Sequence, residues 1–192
     1  MIDLSKYQAI IFDLDGTLAD TMPLHYEACN LVCEKRGFQF PLDFFYAEAG
    51  KPTTEVFLNL MKLKNLTYDG LVLGEEKEQK VLEIMHKVTF VEPVKEIFDF
   101  YKGKLKYAIG SGGQRVTVDL TLKNLNISND FDAIVTCDDV AKYKPHPDTF
   151  IKAAELMGID PQKCIVFEDG DPGIEAAKAA NMDYLDIRPL LK

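Results

Sequence analysis

The chain has 192 residues, 47% of them hydrophobic and 28% charged, enough for one well-cored domain or a domain with a small insert. Its 31 acidic residues against 22 basic ones leave a formal charge of −9 and no basic cluster, which excludes a surface built to grip nucleic acid. No apolar run approaches the ~20 residues of a membrane span, Met1-Ile2-Asp3 lacks the start of a secretory signal, and four cysteines read as free thiols. The expected setting is cytoplasmic, with neither nucleic acid nor membrane as partner.

Ala9 to Phe12 is a short apolar run with β-branched and aromatic members, as in a strand buried on both faces of a parallel sheet. Asp13-Leu14-Asp15-Gly16-Thr17 follows it directly. Beyond Leu18 the period becomes helical. Asp20-Thr21 can cap, Pro23 fits a first turn, and Leu24, Ala28, Leu31 and Val32 form a stripe that ends at Gly37. Further helices are expected from Phe44 to Ala49 with a stop at Gly50, from Thr53 or Thr54 through Met61, and from Glu75 to Lys87. The block holds no strand pattern and no internal repeat. His25, Cys29 and Cys33 fall at i, i+4, i+8 along the first of these helices. A structural zinc site needs a fourth ligand and usually shows closely spaced cysteine pairs, so the two thiols read as buried core.

Past Pro93 helices and strands alternate. A helix from Pro93 to Tyr101 leads to a strand at Leu105 to Ile109 and then Gly110-Ser111-Gly112-Gly113. A helix from Arg115 to Leu125 precedes a strand at Ala133 to Thr136, Asp138-Asp139 and the loop carrying Lys144-Pro145. A helix to Met157, a strand at Cys164 to Phe167, Glu168-Asp169-Gly170, a helix from Gly173 to Ala180 and a strand at Tyr184 to Ile187 complete the pattern. Cys137 and Cys164, in or beside strands, are expected in the core. Repeated βα units imply an α/β fold, a doubly wound parallel sheet with helices on both faces. The helical block is then an inserted all-helical cap, with residues 1–18 and 91–192 as the core domain and 19–90 as the cap.

Open α/β sheets hold their ligands beyond the carboxyl ends of the strands, and each chemically capable group here directly follows a predicted strand. Asp13 and Asp15 reach that crevice, with Gly16 letting the backbone turn sharply. Adjacent carboxylates repel unless a cation or a shared proton relieves them, and a hard divalent ion, Mg²⁺ by default, does so. Ser111, flanked by Gly110 and Gly112, offers a hydroxyl and backbone N–H groups to a phosphate oxygen. Lys144, extended ahead of Pro145, would neutralise phosphate and nucleophile charge. Glu168 and Asp169 add two more carboxylates, and burying four acids together without a metal is costly.

The stretch Asp13 to Thr17 resembles the DxDGT signature of the haloacid dehalogenase superfamily of phosphotransferases. Ser111, Lys144 and Glu168-Asp169 resemble the remaining motifs in order, over essentially the whole chain, with the insert where that family carries its helical C1-type cap. The resemblance implies a Rossmannoid core with Asp13 as the nucleophile and Asp15 as general acid and base. It implies Mg²⁺ held by Asp13, the Asp15 carbonyl and Asp169, with Glu168 supporting or joining that shell. Ser111, Lys144, the backbone around Leu14, Thr17 and Gly112 would then steady the transferring group. Asp15 speaks against the sister dehalogenases, which do not use this residue, and against phosphonatases, which replace it.

His25 and Lys77 resemble residues of the β-phosphoglucomutase branch that handle substrate and couple cap closure. Those mutases also place an Arg in the cap loop on the substrate's second phosphate. Here the loop reads Gly50-Lys51-Pro52-Thr53-Thr54, with Thr53 where the Arg aligns. A threonine cannot make a bidentate charge-assisted grip, and Lys51 compensates only in part. The Gly-x-Pro-Thr form resembles bacterial sugar-phosphate phosphatases of the fructose-1-phosphate type. The expected function is therefore a monomeric, Mg²⁺-dependent phosphatase for a small phosphorylated metabolite, a sugar phosphate first. The alternatives are a β-phosphoglucomutase using a sugar 1,6-bisphosphate and, more remotely, a non-catalytic phosphometabolite-binding protein.

Overall fold

Five parallel strands form one sheet in the order β3-β2-β1-β4-β5 in a computed structural model that describes residues 2–48 and 51–191. They are β1 Ala9–Phe12, β2 Lys106–Gly110, β3 Ala133–Val135, β4 Cys164–Glu168 and β5 Asp183–Asp186. The central strand β1 is buried along its whole length, as its unbroken apolar run requires. Alternate side chains leave it on opposite faces. Ile11 packs with Ala108, Val135, Phe150, Ala154, Val166 and Ala177 in one core cluster. Phe12 meets the rings of Phe98, Tyr107 and Phe167 at centroid distances of 5.8, 5.2 and 5.3 Å. The connections are helical: α5 Glu92–Tyr101, α6 Arg115–Asn124, α7 Asp148–Met157 and α8 Asp171–Ala179.

The chain divides into two compact units, one made of the residues up to Asp20 with those from Val88 on, the other Thr21–Lys87. Inside the first unit the outgoing and returning segments are hydrogen-bonded to each other. Asp20 N donates to Thr89 O at 2.9 Å and Val91 N to Leu18 O at 3.1 Å.

The second unit contains helices α1 Met22–Glu34, α2 Leu42–Ala47, α3 Thr53–Lys64 and α4 Gly70–Ile84, followed by a 3-10 turn at Met85–Lys87. Cys29, Val32, Cys33, Phe40, Phe57, Leu60 and Leu73 make its core. Arg36 forks onto Glu76 at 3.0 and 2.6 Å, tying the end of α1 to α4. Two glycines let α4 lie close against α3. A Cβ at Gly70 would stand 2.8 Å from Leu58 N, and one at Gly74 would stand 3.0 Å from Thr54 Cγ2.

Several elements differ from the expectation. Helix α4 starts at Gly70, ahead of Glu75, because Asp69 accepts from Leu71 N at 2.9 Å and caps the earlier start. The strands β2 and β5 are each displaced by one residue, within the usual spread at element ends. Cys164 is buried, whereas Cys137 is only half-buried, in a 3-10 turn at Cys137–Asp139. Ala49 and Gly50, expected to end the second helix, lie outside the described residues. No helix among the described residues is long and apolar enough to cross a membrane.

Gly110 ends β2 under α7, where a Cβ would stand 2.8 Å from Phe150 Cδ1 and 3.2 Å from Ile11 Cγ2. Gly110→Val is therefore expected to cost about 1–3 kcal/mol of stability by overpacking, read as a lower urea midpoint at unchanged slope.

Candidate active site

Strand register builds the site. Phe12 lies opposite Phe167 of β4 and Ile109 of β2. The β1–β4 ladder runs one step further, with Asp13 N donating to Phe167 O at 3.0 Å, which sets Asp13 beside Glu168. Lys144 reaches the same point from the loop before α7. Its Nζ lies 2.6 Å from Asp13 Oδ1 and 3.4 Å from Glu168 Oε1, with the side chain only 10% exposed. Phe150 lies under the ammonium, its ring centroid 4.8 Å away. The Lys144–Pro145 peptide is cis.

Asp13, Glu168 and Asp169 each offer a carboxylate oxygen within 4.8 Å of the others. Burial, then Glu168, pushes the Asp13 carboxyl well above the usual carboxylate range against the pull of Lys144. Burial also raises Glu168 and Asp169. For Lys144, burial opposes the charge, but Asp13 and Glu168 outweigh it and the pKa is raised. One ammonium does not satisfy this group. Among the described residues, Glu168 Oε2 is buried with no hydrogen-bond partner, a costly condition for an acceptor. The donor set, all hard carboxylate oxygens, fits a divalent cation such as Mg²⁺.

Two glycines shape themselves around these acids. Gly16 has φ +88°, and a Cβ there would stand 2.5 Å from Asp169 Oδ2. In the first turn of α8, a Cβ on Gly173 would fall 1.7 Å from Glu168 Oε1. Thr17, expected to meet substrate, is wholly buried and donates its hydroxyl to Asp169 Oδ1 at 2.7 Å. The Leu14 side chain is equally buried, so only its backbone is available to a ligand.

Ser111 follows β2, its N–H donating to Val135 O at 2.9 Å. Its Oγ accepts from Gly113 N at 2.9 Å and lies 3.5 Å from Asp15 Oδ2, which brings the second aspartate to the same end of the sheet. A Cβ on Gly112 would meet nothing within 4 Å, so space is open in front of that backbone. The Ser111 and Lys144 loops are clamped together from behind. Asp139 Oδ2 accepts from Thr136 N, Thr136 Oγ1 and Arg115 Nη2 at 2.8, 2.9 and 2.6 Å, and Asp138 Oδ2 accepts from Arg115 N at 2.8 Å.

The helical unit holds a separate polar cluster. Lys77 is 5% exposed, and its Nζ lies 2.8 Å from His25 Nδ1, 3.0 Å from Glu78 Oε1 and 3.4 Å from Thr53 Oγ1. Thr53 donates to Glu78 Oε1 at 2.6 Å, and the N-cap of α3 is Pro52. Lys51 is half-exposed and pairs with Glu48 at 2.9 Å. Cys29 and Cys33 are buried and their thiols are pushed up to about 12, principally by burial, which disfavours the thiolates zinc requires. Glu78, Gly173 and the Asp139–Arg115 clamp were not legible as site residues. Each belongs to no motif, and only the fold brings Glu78 to Thr53, Gly173 to Glu168 and Asp139 to Arg115.

A doubly wound parallel sheet with this insert after its central strand is the HAD-like Rossmannoid fold. The chain belongs to the haloacid dehalogenase-like hydrolase family, whose model matches residues 10–187. It is 35% identical to the fructose-1-phosphate phosphatase YqaB of Escherichia coli over 96% of this chain and 98% of that protein. It is 30% identical to a phosphorylated carbohydrates phosphatase of Thermotoga maritima, over 93% and 83% of the two chains. Among solved structures, β-phosphoglucomutase from Clostridium difficile is similar, with a TM-score of 0.76 and 27% identity over 93% of this chain and 83% of that one.

Because Gly173 makes room for Glu168, Gly173→Ala is expected to keep the wild-type circular dichroism spectrum while cutting ester hydrolysis by about 100-fold, the scale of a 1 Å misplacement.

Proposed function

We propose that this phosphoric monoester hydrolase acts in the cytoplasm, as a monomer, on a small sugar phosphate of the fructose-1-phosphate type. The reaction would run through an aspartyl-phosphate on Asp13, with Mg²⁺ held by Asp13, the Asp15 carbonyl, Glu168 and Asp169. The carrying observation is the contact of Lys144 with Asp13 inside the three-carboxylate cluster. The phosphatase relatives support the same substrate class.

In this reading an Asp13 carboxylate oxygen attacks phosphorus in line and the bond to the sugar oxygen breaks. Asp15 gives a proton to that leaving oxygen, then takes one from the water that cleaves the acyl phosphate. Lys144, Ser111 and backbone N–H groups hold the phosphoryl oxygens, so that positioning and electrostatics supply most of the rate. Bound Mg²⁺ supplies charge neutralisation at those oxygens. His25, Thr53 and Lys77 attend to the rest of the substrate. The mutase alternative is disfavoured because the Thr53 hydroxyl is engaged by an acid, Glu78, rather than standing as a phosphate grip.

The deciding experiment measures phosphate release with Mg²⁺ across hexose, pentose and nucleotide monophosphates. β-Glucose 1-phosphate is run in parallel, with and without glucose 1,6-bisphosphate, and assayed for glucose 6-phosphate. Release favouring one sugar phosphate supports the proposal, and bisphosphate-dependent isomerisation with little release overturns it. Asp13→Asn is expected to lower turnover by at least about 1,000-fold, within the range covalent catalysis provides, while the variant still unfolds cooperatively. Residual activity near wild type would remove Asp13 as nucleophile. Thr17→Val deprives Asp169 of its hydrogen bond and is expected to raise the Mg²⁺ needed for half-maximal rate by about tenfold, read from a metal titration.

A further inference from the structure

Ser111 and Lys144 stand on separate loops of the α/β unit, one after β2 and one after β3. Asp139 joins these loops. Its Oδ2 accepts from Thr136 N and Thr136 Oγ1 in its own turn, and from Arg115 Nη2 in the first turn of α6, the helix that continues the Ser111 loop. The same Arg115 nitrogen donates to Ile134 O in β3 at 2.9 Å, and Arg115 N donates to Asp138 Oδ2. A backbone tie runs alongside, Cys137 N donating to Gly113 O at 3.1 Å. Gly113 is also the residue whose N–H fixes Ser111 Oγ. On the other side, the Asp139 carbonyl accepts from Lys152 Nζ of α7 at 2.5 Å. That helix carries Phe150, the ring beneath the Lys144 ammonium. The segment bearing Lys144 is thus held at both ends, and its near end is fastened to the Ser111 loop. Burial opposes the Asp139 charge, but Thr136 and Arg115 outweigh it and hold the carboxyl below its ordinary value.

We propose that Asp139 is a positioning residue which, through Arg115, holds the Ser111 hydroxyl and the Lys144 ammonium at a set separation, so that both meet oxygens of one phosphoryl group. A tetrahedral group presents its oxygens at fixed spacing, and donors act on it most strongly when they are in place beforehand. Donors on two independent loops would each have to be ordered when the ligand binds. The brace orders them together when the chain folds. The inference rests on the phosphatase reading, in which Ser111 and Lys144 hold phosphoryl oxygens, and adds to it what keeps that pair aligned.

The test measures kcat and KM of the full chain on p-nitrophenyl phosphate with Mg²⁺, and the inhibition constant of inorganic phosphate, for wild type, Ser111→Ala, Asp139→Ala and the double variant. Asp139→Ala should lower kcat/KM about tenfold, short of the ~100-fold of a 1 Å misplacement, and weaken inhibition by phosphate by a similar factor. Ser111→Ala should cost about 100-fold by itself but only about tenfold when Asp139 is already alanine, because the hydroxyl no longer stands where the phosphoryl oxygen falls. A residue that served stability alone would give losses that multiply. Arg115→Ala should repeat the pattern, with the rate partly restored by added guanidinium ion, and it carries the test if Asp139→Ala loses its cooperative melting transition. Losses that multiply, an unmoved phosphate inhibition constant, or no recovery of Arg115→Ala with guanidinium would each overturn the role of Asp139 and leave the phosphatase reading standing. Full activity in Ser111→Ala would overturn the pairing of Ser111 with Lys144, and this inference with it. Failure of wild type to hydrolyse this ester and every sugar phosphate tried would overturn both.

Discussion

Like charge held out of water is the constraint on which the site depends. Asp13, Glu168 and Asp169 are brought within 4.8 Å of one another by strand register, and the sheet cannot relax them apart without breaking the β1–β4 ladder. Each feature around them answers that repulsion. Lys144 is buried against two of the acids, Thr17 donates to the third, and the glycines at 16 and 173 clear the volume the carboxylates occupy. Glu168 Oε2 is left without a partner among the described residues, so the arrangement has capacity for one more positive charge. A buried group of this kind is stable only when its charges are matched, and the same matching suits it to phosphoryl transfer, where charge must be neutralised without reorganisation.

The helical unit solves a milder problem by other means. Lys77 is as buried as Asp13, yet its neighbours are a carboxylate, an imidazole nitrogen and a hydroxyl, each able to accept. The Lys77 ammonium is offset by the Glu78 carboxylate beside it. Its frame is fixed by the close approach of α3 and α4 at Gly70 and Gly74, and by the Arg36 fork onto Glu76. Two polar clusters in one chain thus differ in kind: one is anionic and suited to a cation, the other sets a lysine against a carboxylate.

The difference between what was and was not readable in the sequence follows the range of the interactions. The strands β1 and β4 are unbroken apolar runs because both of their faces are covered, and that pattern is local. The acids after them, with Ser111 and Lys144, sit in short motifs at strand ends, so residue type and position were visible together. Helix α4 was foreshortened because Gly70 and Gly74 have poor local propensity; their value lies wholly in contact with Leu58 and Thr54, which only packing reveals. The same holds for Thr17, where the motif predicted a neighbour for substrate and the fold supplied one for Asp169. Glu78 adjoins Lys77 in sequence, but its tie to Thr53 spans 25 positions and carries no periodic signal.

The paired crossings between Leu18–Asp20 and Thr89–Val91 have an architectural consequence. The ends of the α/β unit at the point of insertion are already hydrogen-bonded neighbours, so the unit is continuous there whatever the length of chain looped out between them. Loop-closure entropy grows only logarithmically with that length, and lengthening the excursion adds little strain or entropic penalty to the unit that carries the carboxylates. The insertion point therefore works as a socket. Helices can be exchanged, enlarged or recut there without disturbing the hydrogen bonds that join Leu18–Asp20 to Thr89–Val91.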